Sequence, residues 1–226
     1  MTFQPSAILL TGASSGIGRE LALALARPGA RLALVGRDGG RLGEVAASCR
    51  ARGAEVVEGR IDVRDRGGMR AFVEAFDEAS PVDLVIANAG VTAGLGPERA
   101  PEAEGESRRL LEINYAGVLN TVEPLLARMQ ARRAGRIVLV SSLAGLRALP
   151  DMPSYSATKA AVRAYGIALR GWLRPFGITV TVVCPGFVTS PMSARHDGAR
   201  PFEIGADVAA RKILRGIAAG RSLVAF

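Results

Sequence analysis

Short apolar runs alternate with longer amphipathic stretches along nearly the whole chain of 226 residues. This alternation is typical of βαβ units, because parallel strands must be connected by crossovers that are usually helices. Several short runs are apolar throughout, as in Ala7-Ile8-Leu9-Leu10, which indicates strands that are buried on both faces. We therefore expect one α/β domain over residues 1–226, with a doubly wound parallel sheet and helices on both faces.

Seven strands and six helices are predicted from this pattern. The strands are 7–11, 31–35, 55–60, 84–88, 135–141, 179–184 and 222–226, and the helices are 17–26, 41–52, 68–79, 104–131, 154–173 and 206–219. Residues 188–205 lack clear periodicity and follow a strand end, where open α/β sheets bind ligands. We expect this segment to be a mobile substrate flap, and it contains His196.

The formal charge of +8 raises the question of a nucleic-acid partner. The cations are scattered singly or in pairs, such as Arg108-Arg109 and Arg132-Arg133, rather than clustered in one stretch. The N-terminus lacks the features of a signal peptide, and no apolar run is long enough for a membrane span. We expect a cytoplasmic protein that has no nucleic-acid partner, no membrane span and no metal site.

The turn after the first predicted strand is rich in glycine. Residues 10–18 read Leu-Thr-Gly-Ala-Ser-Ser-Gly-Ile-Gly and lead into the first predicted helix. Glycines let the backbone approach a ligand closely, and the N–H groups at a helix start attract negative charge. The residues of this predicted pyrophosphate-binding turn are Gly12, Ser14, Ser15, Gly16, Ile17 and Gly18. An ordinary loop is the alternative, because the spacing differs from the standard dinucleotide pattern.

The second predicted strand ends at Gly36-Arg37, where a dinucleotide fold holds the adenosine ribose. An acid at this point would bind the 2′-hydroxyl of NAD, whereas a guanidinium accommodates the 2′-phosphate of NADP. We therefore predict that NADP(H) is preferred and that NAD(H) is possible. The alternative for Arg37 is a solvated loop cation, and Asp38 complicates the choice.

Tyr155 and Lys159 are four residues apart on a predicted helix, so both side chains project from one face. Tyrosine, with a pKa of about 10, is a poor base at neutral pH, but a nearby ammonium lowers that pKa. Ser141 and Ser142 end the preceding apolar strand, and either could hold a substrate oxygen. Tyr-Lys pairs at this spacing are common on exposed helices, so the chemical interpretation depends on the combination with the glycine turn.

Taken in order, these motifs resemble those of the classical short-chain dehydrogenase/reductase family over essentially the whole chain. The matching residues are 11–18, Asn88-Ala89-Gly90, Asn114, Ser142, Tyr155 with Lys159, and Pro185-Gly186. The resemblance implies a Rossmann-like fold. It also implies an oxidoreductase that transfers a hydride between NADP(H) and a small-molecule carbonyl or alcohol substrate.

The resemblance further implies a role for each matched residue. Tyr155 would donate a proton to the carbonyl, Ser142 would orient the oxygen, and Lys159 would bind the nicotinamide ribose and lower the pKa of the tyrosine. Asn114 would hold a relay water, and the family's spacing favours Ser142 over Ser141. The remaining implied cofactor contacts are Asp62 and Val63 at the adenine, Asn88, Ala89 and Gly90 at the adenosine, and Pro185, Gly186, Val188 and Thr189 towards the carboxamide.

Several alternatives remain open from the residues alone. The alternative for Asn114 is a buried, hydrogen-bonded helix residue, and the alternative for Asn88 is a residue that ties neighbouring strands together. A non-catalytic NADP-binding or regulatory protein and an epimerase or dehydratase are the alternative functions. A Ser-His-Asp hydrolase is disfavoured, because the chain has one histidine and no G-x-S-x-G motif.

Family members usually assemble through two long central helices, which correspond here to 104–131 and 154–173. The resemblance therefore implies a homodimer or homotetramer. The chain ends at Phe226 and the flap after Pro185-Gly186 is short, so we expect an open pocket that admits varied carbonyl compounds.

Overall fold

Seven parallel strands form one sheet in the order β3-β2-β1-β4-β5-β6-β7. The computed structural model describes residues 4–195 and 199–226. The strands are β1 (Ala7–Thr11), β2 (Arg31–Val35), β3 (Glu55–Gly59), β4 (Leu84–Ala87), β5 (Arg136–Val140), β6 (Thr179–Cys184) and β7 (Leu223–Ala225). The predicted parallel sheet is confirmed, and each strand lies within two residues of its predicted bounds.

Helices cover both faces of the sheet, so the core has two halves. The helices are α1 (Gly16–Leu25), α2 (Gly39–Arg50), α3 (Arg66–Ala79), α4 (Glu106–Leu111), α5 (Gly117–Arg132), α6 (Pro153–Leu173) and α7 (Ala206–Ala218). Ile8 and Leu10 face the core under α1, α2 and α7, whereas Leu9 faces the core under α3, α5 and α6. Because successive residues of a strand point to opposite faces, both halves require apolar side chains, and all five residues of β1 are buried.

The predicted helix 104–131 is wrong as a single regular helix. The structure has α4, then a π-helical turn at Glu112–Ala116, then α5. Gly105, with a φ of +80°, precedes α4 and sets its start two residues later than predicted. The π turn contains Asn114, and such turns widen a helix locally, often at functional sites.

Two other helices start two residues earlier than predicted, because aspartates cap them. The Asp38 side chain accepts a hydrogen bond from the Arg41 backbone N–H at 3.1 Å, which starts α2 at Gly39. Asp65 likewise accepts from the Gly68 backbone N–H at 2.9 Å and starts α3 at Arg66. Side-chain caps of this kind satisfy N–H groups that a helix start leaves unpaired, and they offset the low helix propensity of the glycines.

The winding of the chain reverses at β1, which lies between β2 and β4. In such sheets ligands bind beyond the carboxyl ends of the strands at the reversal point. The predicted flap 188–205 follows β6 and is closed at its base by a bridge between Val188 and Ile204. The Thr189 N–H donates to the Ile204 carbonyl at 3.0 Å. Residues 196–198, including His196, lie outside the described residues, and mobility of the flap stays a prediction.

Within residues 4–195 and 199–226, no helix combines the length and apolar character that crossing a bilayer requires.

Candidate active site

One cleft of about 1310 Å³ opens at the carboxyl ends of the strands around the reversal point. It brings together most of the residues selected from the sequence. Those that line it are Gly12, Ser14, Ser15, Gly16, Ile17, Arg37, Asp62, Val63, Asn88, Ala89, Gly90, Ser142, Tyr155, Lys159, Pro185, Gly186 and Val188. Gly18, Asn114 and Thr189 are not among the residues that line the cleft.

The glycine turn between β1 and α1 depends on the missing side chains. Gly12 and Gly16 adopt φ values of +66° and +52°, in the left-handed region that favours glycine. A Cβ added to Gly18 would overlap the Gly12 carbonyl oxygen, so Gly18 is needed for the close packing of the turn on α1. Gly18 therefore lies beneath the cleft and shapes it without lining it.

Asn88 ties β4 to the glycine turn. Its side-chain amide donates to the carbonyls of Thr11 at 3.0 Å and Gly12 at 3.2 Å. In return, the Thr11 hydroxyl accepts hydrogen bonds from the backbone N–H groups of Asn88 and Ala89, at 3.1 and 3.2 Å. These are the contacts of a residue that ties neighbouring strands together, which was the alternative for Asn88. Thr11 is a partner that the sequence interpretation did not assign.

At the end of β2, the negative charge of Asp38, next to Arg37, is balanced by an ion pair. The Asp38 carboxylate pairs with the Arg41 guanidinium at 2.6 Å, and hydrogen bonds from the Arg41 backbone and side chain lower the pKa of Asp38. Arg37 is exposed and lines the cleft. The charge left at this corner of the cleft is therefore positive.

The end of β3 lies beside the end of β2 and adds two more charged groups. Asp62 is held by Arg64 at 2.8 Å and lies 3.7 Å from the Arg37 guanidinium, and the hydrogen bond from Arg64 lowers the pKa of Asp62. Arg60 packs across Gly39, where an added Cβ would lie 3.1 Å from its Cδ. Arg41 and Arg60 line the cleft with Arg37, and the sequence interpretation missed both.

The two serines after β5 have different surroundings. Ser141 is buried, and its hydroxyl donates to the Lys159 carbonyl at 2.6 Å, which fixes β5 against α6. Ser142 is only partly buried, and its Oγ accepts a hydrogen bond from the Ala144 N–H at 3.1 Å. Of the two hydroxyls, that of Ser142 interacts with the Tyr155 phenol.

Tyr155 and Lys159 lie together on α6, as their spacing predicts. The Lys159 Nζ is 5.7 Å from the centre of the Tyr155 ring and donates to the Val140 carbonyl at 3.1 Å. Burial lowers the pKa of Lys159 to about 8. Burial raises the pKa of Tyr155, and the Ser142 hydroxyl offsets this only in part. This direction is opposite to the sequence expectation, because the cost of burying a phenolate dominates.

Asn114 is fully buried in the π turn and connects three segments. Its Oδ1 accepts from the Val91 N–H at 2.8 Å, while its Nδ2 donates to the Val91 carbonyl at 3.0 Å and to the Thr158 hydroxyl at 3.2 Å. Thr158 follows Tyr155 on α6, so this network connects the π turn to the helix that carries Tyr155. These are the contacts of a buried, hydrogen-bonded helix residue, which was the alternative for Asn114.

Thr189 is exposed, and its hydroxyl donates to the Ile204 carbonyl at 3.4 Å, away from the cleft wall. Its neighbour Ser190 lines the cleft instead. A Cβ added to Gly16 would lie 3.1 Å from the Ser190 Cβ, so Ser190 lies against the glycine turn. The alternation of side chains after the Val188 bridge explains the exchange, because a bridged strand points successive residues to opposite sides.

Sequence comparison identifies the family. Residues 6–200 match the family model of short chain dehydrogenases. The chain belongs to the short-chain dehydrogenase family. An uncharacterized oxidoreductase of Myxococcus xanthus (strain DK1622) is 37% identical to this short-chain dehydrogenase over 219 residues, which cover 96% of this chain and 86% of the relative.

Two solved structures have the same fold as this short-chain dehydrogenase. A short-chain dehydrogenase from Sphingobium yanoikuyae, in complex with NADPH, is 29% identical with a TM-score of 0.85, and the alignment covers 97% of this chain and 87% of that chain. A short chain dehydrogenase/reductase from Burkholderia phymatum, in complex with NAD, is 28% identical with a TM-score of 0.88, covering 100% and 90%. The expected Rossmann-like fold is confirmed, and the protein is an oxidoreductase of this family.

Proposed function

We propose that this protein is an NADP(H)-dependent oxidoreductase that moves a hydride between the nicotinamide and a carbonyl or alcohol substrate. The observation that carries the proposal is the single cleft that holds the glycine turn at one end and Ser142, Tyr155 and Lys159 at the other. A dinucleotide needs both an anion-binding turn and an extended groove, and the reaction needs a proton donor at the far end of that groove.

The residues at the nucleotide end fit NADP(H). The glycine turn leads from Gly12 into α1, which starts at Gly16, and the backbone N–H groups at this helix start favour a pyrophosphate. Arg37 and Arg60 line the adenosine end of the cleft, and the neighbouring Asp38 is neutralised by Arg41. The NADPH and NAD complexes of the two solved relatives support a nicotinamide dinucleotide, and the arginines favour the form with a 2′-phosphate.

The other cofactor contacts are assigned from the walls of the cleft. Asp62 and Val63 would border the adenine, and Asn88, Ala89 and Gly90 the adenosine. Pro185, Gly186 and Val188 would lie towards the carboxamide, with Ser190 in place of Thr189.

The chemistry is divided between cofactor and protein. The nicotinamide would supply or accept the hydride. Tyr155 supplies the proton to the substrate oxygen: its raised pKa keeps the phenol protonated at neutral pH, as a general acid for carbonyl reduction requires. Ser142 orients the same oxygen, and the Lys159 ammonium, close to the phenol ring, stabilises the phenolate that forms.

Protons would reach Tyr155 through Lys159 and a water that Asn114 holds. A Cβ added to Gly90 would lie 3.2 Å from both the Lys159 Nζ and the Asn114 Oδ1, so glycine leaves space between these two atoms. A carboxamide oxygen can accept two hydrogen bonds, and the Val91 N–H uses one of them. A water in this space would be held by Asn114 and would pass a proton to Lys159, which would return one to Tyr155.

The test is to measure binding of NADPH and NADH by fluorescence, and then oxidation of each by absorbance across a panel of ketones, aldehydes and quinones. The proposal expects tighter binding of NADPH and turnover of at least one carbonyl compound. Cofactor binding without turnover anywhere in the panel would contradict it and would favour a non-catalytic NADP-binding protein. Inversion of a sugar or loss of water without net oxidation would favour an epimerase or dehydratase.

We also propose a homodimer or homotetramer assembled through α4, α5 and α6. Leu111, Ile167 and Trp172 are each more than half exposed on these helices, and Tyr115 stacks edge-to-face on Tyr165 between them. Such exposed apolar side chains are typical of interfaces. Analytical ultracentrifugation at micromolar concentration should give a dimer or larger species, and a monomer would contradict the assembly.

A further inference from the structure

The mouth of the cleft beside Tyr155 is unusually apolar. Five of the large apolar side chains that are exposed in the described chain line it: Leu143, Leu146, Leu149, Met192 and Phe202. The first three lie between Ser142 and Tyr155 in the sequence, and the other two belong to the opposite wall after β6. Phe202 is 97% exposed. Exposed apolar clusters rimmed by polar residues mark binding sites, because burying them in a complex is favourable.

The charge at this mouth is cationic. The acids that line the cleft, Asp38 and Asp62, belong to the nucleotide end and are paired with arginines. Arg147 lies between Leu146 and Leu149 on the apolar wall and is exposed; its backbone N–H donates to the Leu143 carbonyl at 2.9 Å, but its guanidinium has no hydrogen-bond or ion-pair partner among the described residues. A guanidinium without a partner in an apolar rim attracts an anionic group that the rim itself does not supply.

We propose that the substrate is a carbonyl compound with an extended apolar body and an anionic group, such as a carboxylate, which Arg147 binds. This rests on the proposed function, because it places the carbonyl at Ser142 and Tyr155. The five-residue rim packs on the apolar body, and Arg147 selects the charged end. The site is thus built for amphiphilic keto acids or their equivalents rather than for small polar sugars.

Equilibrium binding tests the substrate class without requiring turnover. The probes are octanoate, its neutral analogue octanamide and the shorter butanoate, measured by calorimetry with and without NADP⁺. An exposed ion pair contributes up to about 1 kcal/mol, so octanoate should bind about fivefold more tightly than octanamide. Butanoate lacks four of the methylenes of octanoate. If each of these is half buried in the complex, butanoate should bind roughly tenfold more weakly than octanoate.

Matched variants identify the groups. In Arg147→Met, which keeps an apolar stem, the preference for octanoate over octanamide should disappear. In Arg215→Met, an exposed arginine on α7 away from the cleft, the preference should remain. Phe202→Ser should weaken both octanoate and octanamide and leave butanoate unchanged. A preference that survives in Arg147→Met, or equal binding of butanoate and octanoate, would overturn the proposal.

Turnover separates this proposal from the proposed function. With NADPH, 7-oxooctanoate should be reduced with a kcat/KM about fivefold above that of its methyl ester, and Arg147→Met should abolish the difference. Reduction of the ester at an equal or higher kcat/KM would overturn the substrate class and leave the reductase intact. Arg147-dependent octanoate binding with no turnover of any ketone would instead overturn the proposed function. If the protein sediments with neutral phospholipid vesicles, the rim binds a lipid surface, and this result would also overturn the proposal.

Discussion

At the proposed nucleotide end of the cleft, hydrogen bonds tie the glycine turn to β4, whereas at the proposed substrate end large apolar side chains are exposed. Thr11, Asn88 and the glycine turn hold one another through four hydrogen bonds. In contrast, no hydrogen bond to another described residue fixes the side chain of Phe202 or Arg147. The difference indicates that the proposed cofactor site is built from groups that also hold the fold together, whereas the proposed substrate site is lined by exposed side chains of the segments after β5 and β6. The following predictions test this contrast.

The largest expected effect is that of Gly18→Ala. The added Cβ would overlap the Gly12 carbonyl, so the turn must shift, and overpacking of this kind costs about 3 kcal/mol or more. We expect a large loss of stability in urea denaturation and weaker NADPH binding. The control is Gly171→Ala at an exposed position of α6, where an added Cβ meets nothing within 4 Å and helix propensity predicts a gain of about 0.5–1 kcal/mol. Equal stability of the two variants would contradict the rigidity of the turn.

The second effect concerns the buried Lys159 ammonium at the proposed reaction centre. The pKa of Lys159 is lowered to about 8 in the folded protein, whereas the unfolded chain keeps about 10.5. Between these values the unfolded state binds more protons, so the free energy of unfolding should rise with pH, by roughly 1 kcal/mol per unit.

Lys159→Met should remove this rise between pH 8 and 10.5, and the exposed Arg147→Met should leave it intact. Denaturation curves across this range give the comparison. A profile for Lys159→Met that matches the wild-type profile would show that the ammonium is not destabilised by burial.

The third effect concerns cofactor choice. Arg37→Ser removes one guanidinium from the corner where the 2′-phosphate would bind, and a charge-assisted hydrogen bond contributes about 1.5 kcal/mol or more. NADPH affinity should fall about tenfold, while NADH affinity should change less than twofold. An equal loss for both cofactors would mean that Arg37 holds the ribose or the loop rather than the phosphate.

The smallest effect is expected at the rim. Phe202 is 97% exposed and does not pack in the hydrophobic core. Phe202→Ser should therefore change the free energy of unfolding by less than about 0.5 kcal/mol. Thermal and chemical denaturation measure this directly. A loss of several kcal/mol would show that the rim is part of the fold and would remove the contrast between the two ends.

The sequence pattern was sufficient for the sheet and most of the cleft, because both depend on local signals. Apolar runs such as 7–10 locate strands, and the residues that follow them lie at the carboxyl edge by geometry. The π turn at Glu112–Ala116 could not be predicted, since its residues have ordinary helical composition. The early start of α2 was missed because glycine propensity outweighed the capping signal of Asp38.

Arg60 and Arg41 were missed for a different reason. Val35 pairs with Gly59 across β2 and β3, so the residues after both strands meet at one corner. That pairing follows from the strand order, which the linear sequence does not state. The direction of the Tyr155 pKa was missed because the i,i+4 spacing shows a nearby ammonium but not how deeply the phenol is buried.

The central claim is that Tyr155 supplies the proton in a cleft that binds NADPH independently of it. The most direct measurement compares wild type, Tyr155→Phe and the matched Tyr165→Phe, a second tyrosine on α6, for NADPH affinity and for NADPH oxidation with a carbonyl substrate. The account predicts that Tyr155→Phe loses at least about a hundredfold in kcat while NADPH affinity changes less than twofold, and that Tyr165→Phe keeps both. Turnover by Tyr155→Phe at the wild-type rate would contradict the account.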